Sequence, residues 1–149
     1  MRRNRIFILA ILSTLYCIGC TRLPDRPEGM PDLTPCTIEV AFGGERLADV
    51  GVLLKPKDGG KTQVSAWPAG GKTDADGKAV MFTAAHYRGV APGDYIVSFE
   101  KYAPEEIRRD GMPLPAKSLL PLKYSQKQTT ETVTVTKSQA VYIFELEGL

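Results

Sequence analysis

Cysteine and histidine are the residues of this 149-residue chain best suited to chemistry, and it holds three cysteines and one histidine. Cys17 and Cys20 form a C-x-x-C pair, a spacing found in redox and metal sites. The sequence offers no second cysteine pair to complete a metal site, and the first pair ends an apolar segment near the start of the chain. The pattern therefore disfavours a metal or redox centre at this pair.

His86 is the only possible histidine base, so any nucleophilic site has to include it. Ser65 and Ser98 are candidate nucleophiles, but the G-x-S-x-G turn that exposes a catalytic serine is absent. Cys36 and His86 formally make a nucleophile–base pair. However, Cys36 alternates with Ile38 on the expected buried face of a strand, where a thiol behaves as a small inert hydrophobe. We therefore predict that the protein is not an enzyme and has no cofactor.

The segment DADG, residues 74–77, overlaps the opening of a calcium loop. Such a loop also needs a third oxygen ligand and a terminal glutamate, and residues 78–85 contain no acid. A structural role is the alternative: Asp74 accepts hydrogen bonds from its own turn, and Gly77 takes a positive φ. We predict the structural turn and no metal.

The first twenty residues have the organisation of an export signal. Arg2, Arg3 and Arg5 form a basic head, and an uncharged, mostly apolar segment runs from Ile6 to Ile18. A membrane-spanning helix needs about 20 apolar residues, so this segment is too short to span. Its length is that of a signal-peptide core.

The CIGC sequence that ends this segment resembles a bacterial lipobox, in which a small residue precedes the cysteine that is lipidated and becomes the mature N-terminus. Gly19 and Cys20 match this pattern, while Cys17 stands where leucine is usual. The resemblance implies a lipoprotein signal peptide at 1–19 and lipid on Cys20, which would hold the protein on a membrane surface. Thr21 stands where aspartate would favour inner-membrane retention, so the resemblance implies the outer membrane of the cell envelope.

The mature chain differs in charge from the precursor. Residues 1–19 contain three arginines and no acid, so 16 basic and 17 acidic residues remain. The remaining basic residues are scattered, and we predict no nucleic-acid partner. Cys36 is then the one thiol that is not lipidated, and its strand position favours burial, the alternative being a disulfide between two copies.

Proline recurs at positions 24, 27, 31 and 35, which predicts an extended tether over residues 20–35 rather than a helix or strand. Its fifteen residues after Cys20 could reach roughly 45 Å in a polyproline conformation. The folded domain is predicted to occupy residues 36–149.

Alternating apolar and polar residues recur in short segments of this domain, separated by glycine-rich or polar turns. The predicted strands are 36–42, 46–54, 61–67, 78–84, 94–102, 129–136 and 139–146, with a loop over 68–77. Seven short strands without a convincing helix predict a two-layer antiparallel sandwich. Prolines at 104, 113, 115 and 121 predict a surface crossover over 103–128, with one helical turn possible at Pro104–Arg109.

The turns of the domain resemble those of the transthyretin-like, or carboxypeptidase regulatory-like, domain. The matching residues are Thr73, Asp74, Asp76 and Gly77 in a T-D-x-D-G turn, and Pro92, Gly93, Tyr95 and Val97 in a P-G-x-Y-x-V strand. The segment 119–135 also resembles the part that precedes the last two strands in a subgroup of such bacterial lipoproteins. The resemblance implies a seven-stranded antiparallel Greek-key β-sandwich of the transthyretin (prealbumin-like) type.

The segment HYRG, residues 86–89, resembles the Y-R-G signature of the hydroxyisourate hydrolases on the same fold. That signature ends the chain in those enzymes and works with further histidines, which this chain lacks. We therefore expect Tyr87 to pack on a sandwich edge and Arg88 to be solvated.

Trp67 stands beside a proline and a glycine-rich loop, where it could close one end of the core. Alternatively, an exposed Trp67 with Tyr87 would bind a sugar ring. The expected function is a lipid-anchored, non-enzymatic structural or binding module of the envelope. Its expected partners are the membrane and possible envelope proteins or glycans, with carbohydrate or peptidoglycan binding through Trp67 and Tyr87 as the alternative function.

Overall fold

Short β-strands make up most of the ordered secondary structure. The structure, a computed structural model, describes residues 25–58, 67–104, 111–112 and 114–148. Its strands are β1 Thr37–Phe42, β2 Glu45–Arg46, β3 Gly51–Pro56, β4 Ala69–Lys72, β5 Lys78–Val80, β6 Phe82–Thr83, β7 Tyr87–Arg88, β8 Gly93–Glu100, β9 Thr132–Val135 and β10 Val141–Leu146. One 3₁₀ turn spans Leu122–Tyr124.

These strands form two sheets. The four-stranded sheet has the order β10-β1-β2, with β5 also paired to β1. The six-stranded sheet has the order β7-β6-β4-β3-β8-β9. Buried residues of both sheets belong to one apolar cluster, so the predicted all-β sandwich of two sheets is confirmed.

The pairing of the first and last strands departs from the prediction of a purely antiparallel sandwich. β1 and β10 run parallel, in register from Thr37 opposite Val141 to Phe42 opposite Leu146. β9 belongs to the other sheet, where it pairs with β8. The connection from β9 to β10 therefore crosses between sheets, and β10 is free to take the direction of β1.

Several strand boundaries also differ from the predicted ones. Within the predicted strand 46–54, pairing to β8 begins only at Gly51. The predicted loop 68–77 contains β4, because residues 69–72 pair with β3 despite being poor strand formers. The predicted strand 61–67 lies almost wholly outside the described residues, as does most of the predicted helical turn at 104–109.

The predicted strand 78–84 is divided between the sheets. β5 pairs with β1, whereas β6 pairs with β4 and β7. Met81 lies at the crossing point and is fully buried, and its amide donates to the Cys36 carbonyl at 3.0 Å. One short segment thus joins the two sheets.

Aromatic contacts close the space between the sheets. Phe99 of β8 meets Phe144 of β10 with 5.2 Å between ring centroids, and it meets Tyr124 edge-on at 6.2 Å. Tyr124 and Leu120 are buried. The predicted surface crossover therefore contributes side chains to the core as well as connecting strands.

Candidate functional site

One end of the sandwich brings together the start of β1, the turn at 84–86 and Trp67, and we call it the near end. Thr83 pairs with both Ala69 and Tyr87. Because β4 and β6 are antiparallel, Trp67 lies two positions before Ala69 on the side of the 84–86 turn. The far end is the opposite one, where β1 reaches the Gly43–Gly44 turn.

The strap, residues 25–35, lies against the near end. Thr34 and Val90 exchange two backbone hydrogen bonds of 2.8 and 2.9 Å. The Tyr87 hydroxyl donates to the Asp25 carbonyl at 2.8 Å, and Met30 is buried with 9% exposure. The described part of the predicted tether therefore makes specific contacts, which proline content alone did not predict.

Gly89 shows how closely the strap approaches. Its φ is +110°, and a Cβ at this position would lie 2.6 Å from the Thr34 carbonyl oxygen. A side chain would therefore be strained by its backbone conformation and would push the strap away. This close contact with the strap therefore explains why the HYRG segment ends in glycine.

A cleft of about 610 Å³ opens between the strap and the hairpin of β6 and β7. We call it the near-end cleft. It is lined by Arg26, Asp32, Leu33, Phe82, His86, Tyr87 and Arg88. The site therefore combines cationic, aromatic and carboxylate side chains from two separate parts of the sequence.

The charged groups of the near-end cleft are only partly neutralised. Arg26 lies 3.8 Å from the Asp32 carboxylate and donates to the Pro31 carbonyl. Within the described part of the chain, the side chains of His86 and Arg88 have no hydrogen bond or ion pair. Both are exposed, which confirms the expectation that Arg88 is solvated. The cleft can thus offer a guanidinium and an imidazole to an anionic or hydroxyl-rich partner.

The predicted ligand-binding aromatics are placed differently from each other. Tyr87 is half-buried at the strap and lines the cleft, as expected of a tyrosine on a sandwich edge. Trp67 is half-buried at the same end but is not among the cleft-lining residues. Phe82, with 36% exposure, is the aromatic side chain that sequence reasoning missed. The residues next to Phe82 along the chain gave no sign of the cleft, because the strap that forms its other wall lies about fifty positions earlier.

The candidate nucleophiles do not gather around His86. Ser98 lies on β8, which β6, β4 and β3 separate from β7 in the six-stranded sheet. Cys36 is buried with 3% exposure, as predicted, and burial raises the pKa of its thiol to about 11. A thiol with this pKa is almost wholly protonated near neutral pH and is a poor nucleophile. Ser65 and the predicted lipidation site Cys20 lie outside the described residues.

The DADG segment forms the predicted structural turn at the far end. One Asp74 carboxylate oxygen accepts from the amides of Asp76 and Lys78, each at 2.9 Å. Gly77 has a φ of +72°, and its carbonyl accepts from the Val40 amide. Among the described residues, no three His, Cys, Asp or Glu side chains lie together as a metal site would require.

A second opening of about 520 Å³ lies at the far end, and we call it the far-end groove. It is lined by Asp49, Gly51, Lys72, Glu100, Lys101, Tyr102, Pro104 and Leu119. Lys72 pairs with Asp49 at 2.9 Å, and Lys101 donates to the Ala48 carbonyl at 2.7 Å. Its charged side chains are therefore bound to groups of the protein itself.

Comparison with known proteins gives limited similarity. No protein-family model and no curated protein matches the chain. Its fold is similar to BcpA, the major pilin subunit of Bacillus cereus, with a TM-score of 0.38 and 16% identity over 76% of this chain. A point variant of that pilin gives 0.40 and 17% over the same share. The matched part is 29% and 30% of those chains, so this chain spans less than a third of the pilin subunit.

The described residues were also searched for a helix that could span a membrane. In the ranges that the structure describes, no helix is both long and apolar enough to cross a bilayer.

Proposed function

We propose that the chain is a lipid-anchored cell-envelope lipoprotein whose mature part is a transthyretin-like β-sandwich acting as a structural or binding module. The observation that carries the proposal is the basic head, short apolar segment and Gly19-Cys20 pair immediately before a folded domain. Lipid on Cys20 would attach this domain to the outer membrane without a spanning segment.

The start of the folded domain is compatible with such an anchor. Asp25, the first described residue, is exposed, and the buried apolar side chains begin at Met30. The core cluster itself begins at Cys36. Cleavage before Cys20 would therefore remove no residue of the described core.

The test is mass spectrometry of the protein purified from envelopes of a bacterium that processes lipoproteins. We expect a chain that starts at Cys20 and carries acyl groups. Cys17→Ser is the matched control and should leave acylation intact, whereas Cys20→Ser should abolish it. An unmodified chain that still begins at Met1 would contradict the proposal. Thr21→Asp should move the acylated protein from outer-membrane to inner-membrane fractions.

Carbohydrate binding is a second candidate function, and the near-end cleft favours it. Phe82 presents a partly exposed ring beside Arg88, which is exposed, and a sugar ring requires such an apolar face with hydrogen-bond donors. Trp67 and Tyr87, the aromatics predicted for this role, lie at the same end.

Cosedimentation of the mature protein with purified peptidoglycan tests this second function. Phe82→Ala and Arg88→Ala should each reduce the bound fraction. Ile143→Ala, an exposed apolar position on the four-stranded sheet, is the matched control and should bind normally. Equal binding by all variants would exclude the near-end cleft as the glycan site.

A further inference from the structure

The docked strap shortens the free part of the predicted tether. Its contacts hold residues from Asp25 to Thr34 on the near end. Only five peptide units separate Cys20 from Asp25 in the sequence, whereas sixteen separate Cys20 from Cys36. At about 3.6 Å per residue, the docked chain can reach at most roughly 18 Å, compared with almost 60 Å for an undocked one.

The position of the strap decides which end of the sandwich lies close to the anchor. Asp25 is bound to Tyr87 at the near end. The far end is a strand length away, which for the eight residues of β8 is about 26 Å. An anchor at Cys20 therefore keeps the near end within roughly 18 Å of the membrane, whereas the far end can lie a further strand length away.

We propose that the near end is the face that the protein presents to the membrane, and that the lipid headgroup layer is the partner of this face. The inference rests on lipid attachment at Cys20, the proposed function. Because the linker between Cys20 and the docked strap is short, the near-end cleft with Phe82 and Arg88 lies at headgroup level. The far-end groove then faces the aqueous compartment.

Trp67 provides a natural reporter of this orientation because it is the only tryptophan of the chain. It lies near the 84–86 turn and two positions before Ala69. Ala69 is two strand spacings, or roughly 10 Å, from Tyr87, the residue that binds the strap. Its fluorescence should therefore be quenched by lipids that carry a nitroxide on the headgroup.

The experiment anchors the mature chain chemically, so that it does not depend on natural acylation. The Cys20 thiol is coupled to a maleimide lipid in phosphatidylcholine vesicles that contain the nitroxide lipid. Cys36 should not compete, because it is buried and its pKa is raised to about 11. We expect strong quenching of Trp67 in the unaltered chain.

Two variants lengthen the free reach by different routes. A fifteen-residue Gly/Ser insertion between Thr21 and Arg22 leaves the strap contacts unchanged. It makes the linker about four times longer, which lowers the effective concentration of the near end at the bilayer roughly eightfold. Met30→Asp should release the strap by placing a charge in a buried site, and Met30→Leu is its volume-matched control.

Quenching should fall several-fold in the insertion variant and in Met30→Asp, and it should persist in Met30→Leu. Weak quenching in the unaltered anchored chain would overturn the proposal. Strong quenching that the insertion leaves unchanged would also overturn it, because the reach of the strap would then not hold the near end at the surface. Failure of the proposed function is a separate result: an unacylated Cys20 in the mass spectrum of the native protein.

Discussion

The two ends of the sandwich both carry charged side chains around an open cleft, but among the described residues the far end satisfies more of them internally. At the far end, Lys72 binds Asp49 and Lys101 binds a backbone carbonyl. At the near end, the described residues offer no side-chain partner to His86 or Arg88, and the facing wall comes from the strap. The far end therefore has the character of a structural closure, whereas the near end leaves two basic side chains exposed.

The same difference extends to the backbone at each end. The far end is held by Thr73, which is buried and has two backbone partners. At the near end, the buried Thr83 hydroxyl has one backbone partner, the Gly89 carbonyl. Positive φ angles occur at both ends, at Ala84 and Ala85 beside the near-end cleft and at Asp49 in the far-end groove. The buried threonine of the far end thus bonds more backbone groups than that of the near end.

The largest effect that would test this comparison is expected from Thr73→Val at the far end. The Thr73 hydroxyl accepts from the Val50 amide and donates to the Leu47 carbonyl, each at 2.8 Å. Valine would leave both backbone groups without this partner, lowering the free energy of unfolding by about 2 to 4 kcal/mol in urea titrations. Thr83→Val is the near-end control: its hydroxyl donates to one carbonyl, that of Gly89, and we expect about 1 to 2 kcal/mol. Equal losses would contradict the far-end assignment.

A smaller effect should appear in alkaline solution through Cys36. Burial raises its pKa from 9.0 to about 11. The folded state therefore holds the thiol proton more tightly than the unfolded state. The stability it contributes is complete below pH 9 and is lost as pH rises toward 11, by at most about 1.4 kcal/mol per pH unit.

Urea midpoints at pH 8, 9 and 10 measure this loss. Burial raises the pKa of Tyr95 from 10.0 to about 12, so Tyr95 adds a loss of the same sign that begins about one pH unit above that of Cys36. Cys36→Ala should flatten the pH dependence, although it lowers stability at every pH. An unchanged slope in this variant would assign the alkaline loss to another group. The native thiol should also react slowly with a thiol reagent until the protein unfolds.

The smallest effects should come from single exposed charges. Lys72 lowers the pKa of Asp49 through a hydrogen bond and its positive charge. A lowered carboxylate pKa stabilises the fold above the unfolded-state value, and this contribution is lost as pH falls through the folded-state value. Lys72→Gln should therefore raise the Asp49 pKa in an NMR titration while changing the urea midpoint very little, because both groups are exposed.

Arg88→Gln is the near-end counterpart of this variant. It should leave the Asp49 pKa unchanged and should not measurably alter the urea midpoint. A clear loss of stability in Arg88→Gln would show that this side chain has an internal role, and it would remove the main distinction between the two ends.

The sequence alone determined the local features of this protein. Alternation of apolar and polar residues around Ile38, Val97, Val133 and Tyr142 identified strands β1, β8, β9 and β10, because a strand buried on one face favours that period. The DADG turn and the burial of Cys36 were also predictable, since each depends on neighbouring residues. The signal segment and Cys20 remain predictions from the sequence.

The tertiary structure decided which strands pair and where the chain folds back on itself. Residues 69–72 become a strand only because β3 and β6 lie on either side of them. The parallel pairing of β1 with β10, more than one hundred positions later, has no local signal. The strap and the near-end cleft likewise depend on contacts between residues 25–35 and 82–90. Periodicity describes the face a residue occupies, whereas these contacts depend on long-range packing that no short segment encodes.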